Sequence, residues 1–290
     1  MVSPAWTEIS LEPGFYFIAT PLGNARDITL RALDVLASAD VLAAEDTRRL
    51  KHLLDIHAVP LKGRRILSYH DHNGQAVRPA LLSAVSGGQS VAYASDAGSP
   101  MVADPGFVLG REAIANGHPV YSVPGPAAVI AGLTVSGLPS DRFTFAGFPP
   151  HAKGARRTFL ASFGNTSGTL VLYESPNRIA QTLDDAADLL GEGRPCVLAR
   201  ELTKKFEEVR RGSLGEVRAN VKVQPPRGEI VLLIGAGKNE VSQEDVDTAL
   251  KAAMEGLRLK DAAREVAEQF GLSRRDLYQR GLELQDRNAD

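Results

Sequence analysis

A single cysteine, Cys196, in 290 residues rules out an internal disulfide framework and a cysteine-built zinc site. Its setting, Pro195-Cys196-Val197-Leu198-Ala199, reads as a small buried hydrophobe in a strand. Charge of one sign is equally lacking. Lys and Arg total 33 against 35 Asp and Glu, a net of −2, so no global field draws the chain to nucleic acid or to an anionic membrane. Any polyanion must be held by local patches. No apolar run approaches the roughly 20 residues that span a bilayer. The opening MVSPAWTEISLEPG lacks the charged start and apolar core of a signal peptide, so a cytoplasmic, reducing location is expected. Familiar catalytic motifs are missing too: there is no GxxxxGK[ST], no H-E-x-x-H and no G-x-S-x-G. Gly235-Ala236-Gly237-Lys238 begins like a dinucleotide fingerprint, but Glu240 stands where the third glycine belongs and no ordinary crossover helix follows. His70 and His72 flank Asp71 with no third ligand nearby, which favours hydrogen bonding or substrate contact over a metal.

What the chain does have is an alternation of short apolar runs, small-residue loops and amphipathic stretches. The most informative segment is VAYASDAGSPMVADPG, Val91 to Gly106. A β-type run stops there in a loop of Gly, Pro, Asp and Ser, as a buried strand does when it feeds a ligand-facing turn. Similar loops follow other strands, at Thr20–Asn24 and Pro124–Ala128. Glycine lets backbone approach a ligand closely and proline fixes the loop's shape. Three such loops in one half of the chain favour a ligand cleft over ordinary tight turns.

The alternation predicts a mostly parallel sheet with helices on its faces. Strands are expected at Gly14–Ala19, Asp40–Glu45, Ile66–Tyr69, Val91–Ala94 and Pro119–Val123. Asp27 is the expected cap of a helix carrying Ile28, Leu30, Leu33 and Leu36 on one face. The reading divides the chain into a loose leader (1–13), an N-terminal α/β domain (14–140), a C-terminal α/β domain (141–238) and a helical tail (239–290). In the C-terminal domain His151–Gly168 reads as basic and loop-like at its start. In the tail, Ser242 and Asp245 form a near capping box. Leu259–Phe270, the turn at Gly271-Leu272-Ser273 and a second helix from Arg274 to Leu284 fit either a helix-turn-helix or a small helical appendage.

Taken together, ATPLGNARDITLRAL, AEDTRRLKHLL, SYHDHN, SDAGSPMVADPG, VPGPAAVIAGLTVSGLP, FAGFPP, LYESPNRI and the RELTKKFEE run are specific. The chain resembles the tetrapyrrole-methylase superfamily of S-adenosylmethionine-dependent methyltransferases, and within it the ribosomal small-subunit branch that 2′-O-methylates a cytidine of 16S rRNA. The resemblance spans about Gly14 to Ala236. It implies an α/β fold of the class III methyltransferase type: two α/β domains with a cofactor cleft between them, in a homodimer, plus the helical C-terminal segment. The first loop, Ala19-Thr20-Pro21-Leu22-Gly23-Asn24, departs from the GxGPG type of the tetrapyrrole-specific relatives, as the rRNA branch does. Asn177 stands where many relatives carry histidine. The alternative on the same fold is a small-molecule precorrin or tetrapyrrole methyltransferase; a non-catalytic RNA- or nucleotide-binding protein is a further rival.

The resemblance assigns Ser95, Asp96, Ala97, Gly98, Ser99, Pro100 and Met101 to the cofactor, with Pro21 and Leu22 on its edge. Gly125, Pro126 and Ala127 lie along another side, and Tyr173 and Glu229 contribute from the second domain. Asp96 either receives the cofactor's ammonium or ribose hydroxyls or holds its own loop as an Asx-turn. For proton transfer the candidates are Asp46 and Glu201, with Glu174 beside them. Glu45, Asp46, Arg48 and Arg49 fit a surface ion-pair cluster equally well. RNA contact requires cations that meet phosphates: Arg48, Arg49, Lys153, Arg156, Arg157, Arg178, Lys204 and Lys205, with His70 and Asn73 on the same rim. Tyr69 and Phe206 are candidates for stacking on a base. No metal is expected. The implied partners are 16S rRNA or the 30S subunit, with no membrane.

Overall fold

The computed structural model describes residues 5–102, 104–237, 243–270 and 272–286. In chain order these form β1 (Gly14–Ile18), α1 (Leu30–Ser38), β2 (Val41–Ala44), α2 (Thr47–Ile56), β3 (Ile66–Ser68), α3 (Gly74–Ser86), β4 (Ser90–Ala94), α4 (Gly106–Ala115), β5 (Val120–Val123) and α5 (Ala128–Ser136). There follow β6 (Phe143–Phe145), α6 (Lys153–Ala161), β7 (Thr169–Glu174), α7 (Ile179–Leu190), β8 (Pro195–Arg200), β9 (Glu208–Ser213), α8 (Leu214–Val223) and β10 (Ile230–Ile234). The last helices are α9 (Gln243–Gly256), α10 (Leu259–Phe270) and α11 (Arg274–Asp286). The chain divides into two compact units, one through Ala236 and one from Gly237.

The first sheet has the order β3-β2-β4-β1-β5, and every pairing in it is parallel. Its central strands GFYFI and SVAYA are buried throughout, the pattern of strands covered on both faces. Side chains alternate between those faces. Tyr16 and Ile18 join a core with Leu33, Leu36, Leu50 and Leu54 of α1 and α2. Phe15 and Phe17 face the other way, toward Leu81 of α3 and Leu109 of α4.

The second sheet, β6-β7-β10-β8-β9, is mixed where the first is parallel. Only β6 and β7 run parallel, and the other neighbours are antiparallel. The strand β9 had no place in the sequence reading because EVRRGS lacks an apolar face. It is an edge strand, where charged side chains are normal protection against further pairing. Helices α6, α7 and α8 cover one face of this sheet. Helix α5 covers the other with Val129 and Leu133. A Cβ on Gly132 would lie 3.0 Å from Val231, so the helix packs hard against β10 there.

Three local expectations change. Thr29, not Asp27, caps α1: its hydroxyl accepts from the Ala32 N–H at 3.1 Å, while Asp27 sits a turn too early. Both α2 and α6 are regular helices hidden by polar sequences, since each buries only two residues, Leu50 and Leu54 in α2, Arg156 and Leu160 in α6. Residues 5–13 are not loose. Trp6 Nε1 donates to the Ala58 carbonyl at 3.0 Å, Thr7 N–H to Asp34 at 2.7 Å, and Trp6 and Leu11 pack on the first core.

Cys196 is 1% exposed, and burial pushes its thiol up to about 12. A thiol so placed is inert. Ellman's reagent is expected to find no reactive thiol in the folded protein and one after denaturation; rapid native labelling would contradict this packing.

The second unit is a three-helix cluster with its own core of Val246, Leu250, Ala262, Ala263, Val266, Leu277 and Leu284. Arg280 pairs with Asp247 across it at 2.6 Å. Ser273 caps α11 as expected, accepting from the Asp276 N–H at 3.4 Å. The Ser242 capping box and the Gly271 turn residue lie outside the described residues. Among the described residues no helix is long and apolar enough to cross a membrane.

Candidate active site

Because the first sheet is wholly parallel, the loops after β1, β2, β4 and β5 all leave from one edge, the place where open α/β sheets bind ligands. Two of these loops are stitched together. Thr20 and Gly98 exchange backbone hydrogen bonds of 3.0 and 2.9 Å. The Thr20 hydroxyl donates to the Ser95 carbonyl at 2.9 Å, and the Ser95 hydroxyl to the Gly98 carbonyl at 2.6 Å. The β5 loop joins through Ser99, whose hydroxyl donates to the Pro126 carbonyl at 3.0 Å.

This edge and the start of β10 enclose a cleft of about 490 Å³, within the range of cofactor-sized ligands. Of the residues proposed for the cofactor, Leu22, Asp96, Ala97, Gly98, Ser99, Ala127, Tyr173 and Glu229 line it. Pro21, Ser95, Pro100, Met101, Gly125 and Pro126 do not. Ser95 is buried behind the wall, and Met101 packs into the core around α4. Among the lining residues absent from the predicted set are Glu45, Val102, Asp104, Ala128, Phe148 and Leu202. Of these, Asp104 had a usable signal, since it stands in the same small-residue loop as Asp96.

The carboxylates around the cleft differ sharply. Asp46 is outside the lining; it caps α2 through the Arg48 N–H at 2.8 Å and grips the Arg48 side chain at 2.9 Å, which together hold it near 2. Glu201 also lies outside the lining. Its Oε1 accepts from the Glu229 N–H at 3.0 Å and Lys204 Nζ at 2.9 Å, and these bonds lower its pKa. Glu174 lines the cleft but is fastened at both oxygens by Arg178, Thr182 and the Ser175 N–H, at 2.7 to 2.9 Å. Asp104 is raised by burial despite accepting from Gly106 N–H at 2.7 Å and the Tyr93 hydroxyl at 3.0 Å. Glu45 is pushed up to about 7, first by burial and then by the charges of Asp96, Asp104 and Asp71. Tyr173 is raised to about 12 by burial.

The predicted cations separate into free and engaged groups. Arg156 is 3% exposed and locked to Asp185 at 2.8 Å, so it cannot meet a phosphate. This corrects the sequence reading, which took a basic run for a surface patch. Arg157 shares Asp185 and reaches Asp188, both at 3.1 Å. Arg178 is bound to Glu174 and the Pro149 carbonyl, and Lys204 to Glu201 and Glu229. Arg48 remains 91% exposed although paired with Asp46; Arg49 lines the cleft and faces Asp96 at 3.4 Å. Lys153 and Lys205 are exposed, and among the described residues no ion pair engages them. Asn73 braces its own turn, accepting from His70 N–H and donating to the Ser68 carbonyl, while the His70 and His72 rings meet edge-on. Tyr69 is 1% exposed and packs edge-on against Tyr93, so it cannot stack on a base; Phe206 is 63% exposed. Among the described residues no three His, Cys, Asp or Glu side chains gather as for a metal ion.

Residues 14–218 match the family described as Tetrapyrrole (Corrin/Porphyrin) Methylases, and residues 240–285 match the RsmI C-terminal HTH domain. Ribosomal RNA small subunit methyltransferase I of Mesorhizobium japonicum is 44% identical over 282 residues, covering 97% of this chain and 95% of its own. The protein of the same name from Vibrio cholerae is 42% identical, covering 93% and 95%. Among solved structures, cobalt precorrin-4 methyltransferase superposes with a TM-score of 0.58 at 19% identity, covering 76% of this chain and 94% of its own. Uroporphyrin-III C-methyltransferase from Thermus thermophilus, solved with S-adenosyl homocysteine, gives 0.53 at 22%, covering 76% and 96%. The structural likeness establishes the fold, and the sequence matches place the chain further: it belongs to the tetrapyrrole methylase family of S-adenosylmethionine-dependent methyltransferases and, within it, to the ribosomal RNA small subunit methyltransferase I group.

Proposed function

We propose that this methyltransferase modifies the ribose 2′-hydroxyl of a cytidine in 16S rRNA of the 30S subunit. It acts as a cytoplasmic homodimer, with its 14–140 and 141–238 domains on either side of the cofactor. The observation that carries the reading is similarity along the whole chain, tail included, to proteins named for rRNA methylation. The dimer is supported by Phe107 and Ile114, seven residues apart on α4 and exposed by 54% and 65%.

The cleft fits S-adenosylmethionine on its own features. The donor carries a net positive charge, and Glu45, Asp96 and Asp104 stand together along one wall. Leu22, Ala97, Ala127, Phe148 and Val231, which also line the cleft, offer apolar surface to an adenosine and a thioether arm. Gly98 holds open space that a Cβ would close, 3.1 Å from Leu22. When bound, the donor supplies a methyl carbon made electrophilic by its sulfonium. The protein's task is to hold the hydroxyl in line, exclude water and receive a proton. Arg48, Arg49, Lys153 and Lys205 are the exposed cations suited to the substrate's phosphates, and Phe206 beside Lys205, 5.5 Å from its ring centre, is suited to a splayed base.

The test is incubation with methyl-labelled S-adenosylmethionine and either 30S subunits or free 16S rRNA, followed by mapping of alkali-resistant positions. One labelled cytidine is expected. Label in a precorrin but not in rRNA would favour the tetrapyrrole alternative, and absence of cofactor binding by calorimetry would sink both.

A further inference from the structure

We propose that the Glu45 carboxylate is the catalytic base, taking the proton of the ribose 2′-hydroxyl as the methyl group arrives. This rests on the functional reading above and adds to it the residue that receives the proton.

Position comes first. Glu45 is the residue immediately after β2. That strand pairs with β4 on one side, Ala44 beside Ala94, and with β3 on the other, Ala44 beside Ser68. Glu45 therefore emerges between the Ser95–Met101 loop and the His70 turn. The backbone that carries it is anchored to the cofactor loop, because the next N–H, of Asp46, donates to Asp96 Oδ1 at 2.8 Å. Its side chain lines the cleft and is half-buried.

Availability comes second. A base needs a lone pair free to face the substrate. Asp96 accepts from Asp46 and faces Arg49. Asp104 holds the Tyr93 hydroxyl and the Gly106 N–H. Glu174 is fastened at both oxygens, and Glu229, 70% exposed at its side chain, pairs with Lys204 at 3.0 Å. Glu45 is the remaining cleft carboxylate, and among the described residues no hydrogen bond or ion pair engages it.

Chemistry comes third. The groups around Glu45 are Asp96, Asp104 and Asp71, which disfavour its ionisation along with burial, the Tyr93 hydroxyl, which donates to Asp104, and Arg49, which favours it. The balance leaves the carboxyl near 7, where a general base is most effective at neutral pH. A cationic donor bound alongside favours the ionised form further. In the step itself the 2′-oxygen forms its bond to the methyl carbon while the carbon–sulfur bond breaks and its electron pair stays on sulfur. The hydroxyl proton passes to a Glu45 oxygen. Carboxylate and sulfonium become carboxylic acid and neutral thioether, and solvent removes the proton after product leaves.

The experiment compares wild type, Glu45→Gln and Glu45→Asp on 30S subunits, with S-adenosylmethionine affinity measured by calorimetry. E45Q is expected to lose about 10²- to 10⁴-fold in kcat at saturating cofactor, against a smaller loss of about tenfold or less in cofactor affinity from the missing charge. E45D retains a measurable part. Wild-type kcat/KM rises with pH to a plateau, with a break near 7 that vanishes in E45Q. A wild type that methylates and an E45Q that keeps more than a tenth of its kcat would overturn the assignment. So would a loss matched by an equal loss of cofactor affinity, which would make Glu45 a ligand of the donor's ammonium. A wild type that leaves the subunit unlabelled would bring down the functional reading, and this assignment with it.

Discussion

Arg156→Ala is expected to lower folding stability by about 3 kcal/mol while leaving the exposed cations Arg48, Arg49, Lys153 and Lys205 in place. The guanidinium is 3% exposed and Asp185 5%; Nε donates to Oδ2 at 2.8 Å and NH1 to the His151 carbonyl at 3.2 Å. The pair joins α6 to α7 beneath the surface. Removing one member leaves a buried charge uncompensated, the costly way to break such a pair. Arg157, still on the other oxygen at 3.1 Å, keeps the loss at the lower end. Replacing both with leucine is expected to recover most of the stability, since the desolvation of both ions is then removed. Burial alone pushes the Asp185 carboxyl up, but Arg156 and Arg157 outweigh it and hold it below its ordinary range. Its contribution is therefore complete above the ordinary carboxylate range and fades as pH falls through the depressed folded value. Arg156→Ala should weaken that acid dependence. Lys153→Glu, three residues away and exposed, is the contrast: rRNA binding weaker with a flatter salt dependence, and an unchanged melt. Urea titrations and salt-dependent binding of both variants decide the matter. An Arg156→Ala protein as stable as wild type but poor in RNA binding would restore the surface reading of that residue.

The contrast between Arg156 and Lys153 shows what a linear chain displays and what it conceals. Strands buried on both faces, such as GFYFI and SVAYA, announce themselves, and so do loops in which glycine and proline follow them. The parallel sheet and the position of its ligand edge follow from those two signals. A basic run looks the same whether its members face water or a buried aspartate thirty residues on; only the helix phase of α6, set by Leu160, turns Arg156 inward. The helix α2 shows the same limit, because two buried leucines in ten residues make a narrow stripe. Glu45 was hidden for a related reason. In AEDTRR it reads as one more charge at a solvated helix start, and its distinction arises only when β4 brings Asp96 and Asp104 to its side. The strand directions of the mixed second sheet are not legible in the chain, because direction is set by the connections, not by the residues within each strand.

Gly98→Val is expected to weaken S-adenosylmethionine binding by about 10- to 100-fold while the protein still folds, the equivalent of about 1.4–2.7 kcal/mol. Gly98 has φ of +78°, a left-handed backbone that a β-branched residue adopts only under strain. Such strain costs roughly 1–3 kcal/mol. It falls at the worst place for the ligand, because the Gly98 N–H and carbonyl are the two groups that tie this loop to Thr20, and the carbonyl also receives the Ser95 hydroxyl. A loop that relaxes the strain must break those bonds and leave the geometry that puts Asp96, Ala97 and Ser99 on the cleft wall. A loop that keeps them must place a Cβ 3.1 Å from Leu22, at the part of the cleft wall that both residues line. Either route reduces affinity, whereas β4, buried on both faces, is untouched and continues to support the fold. Gly98→Ala, with the same strain but less bulk, should fall between glycine and valine. Calorimetry with S-adenosylhomocysteine, paired with thermal melts, separates the two effects. Valine binding within twofold of wild type would mean that the ligand does not sit against this loop, and the cofactor would have to be sought on the β10 side of the cleft.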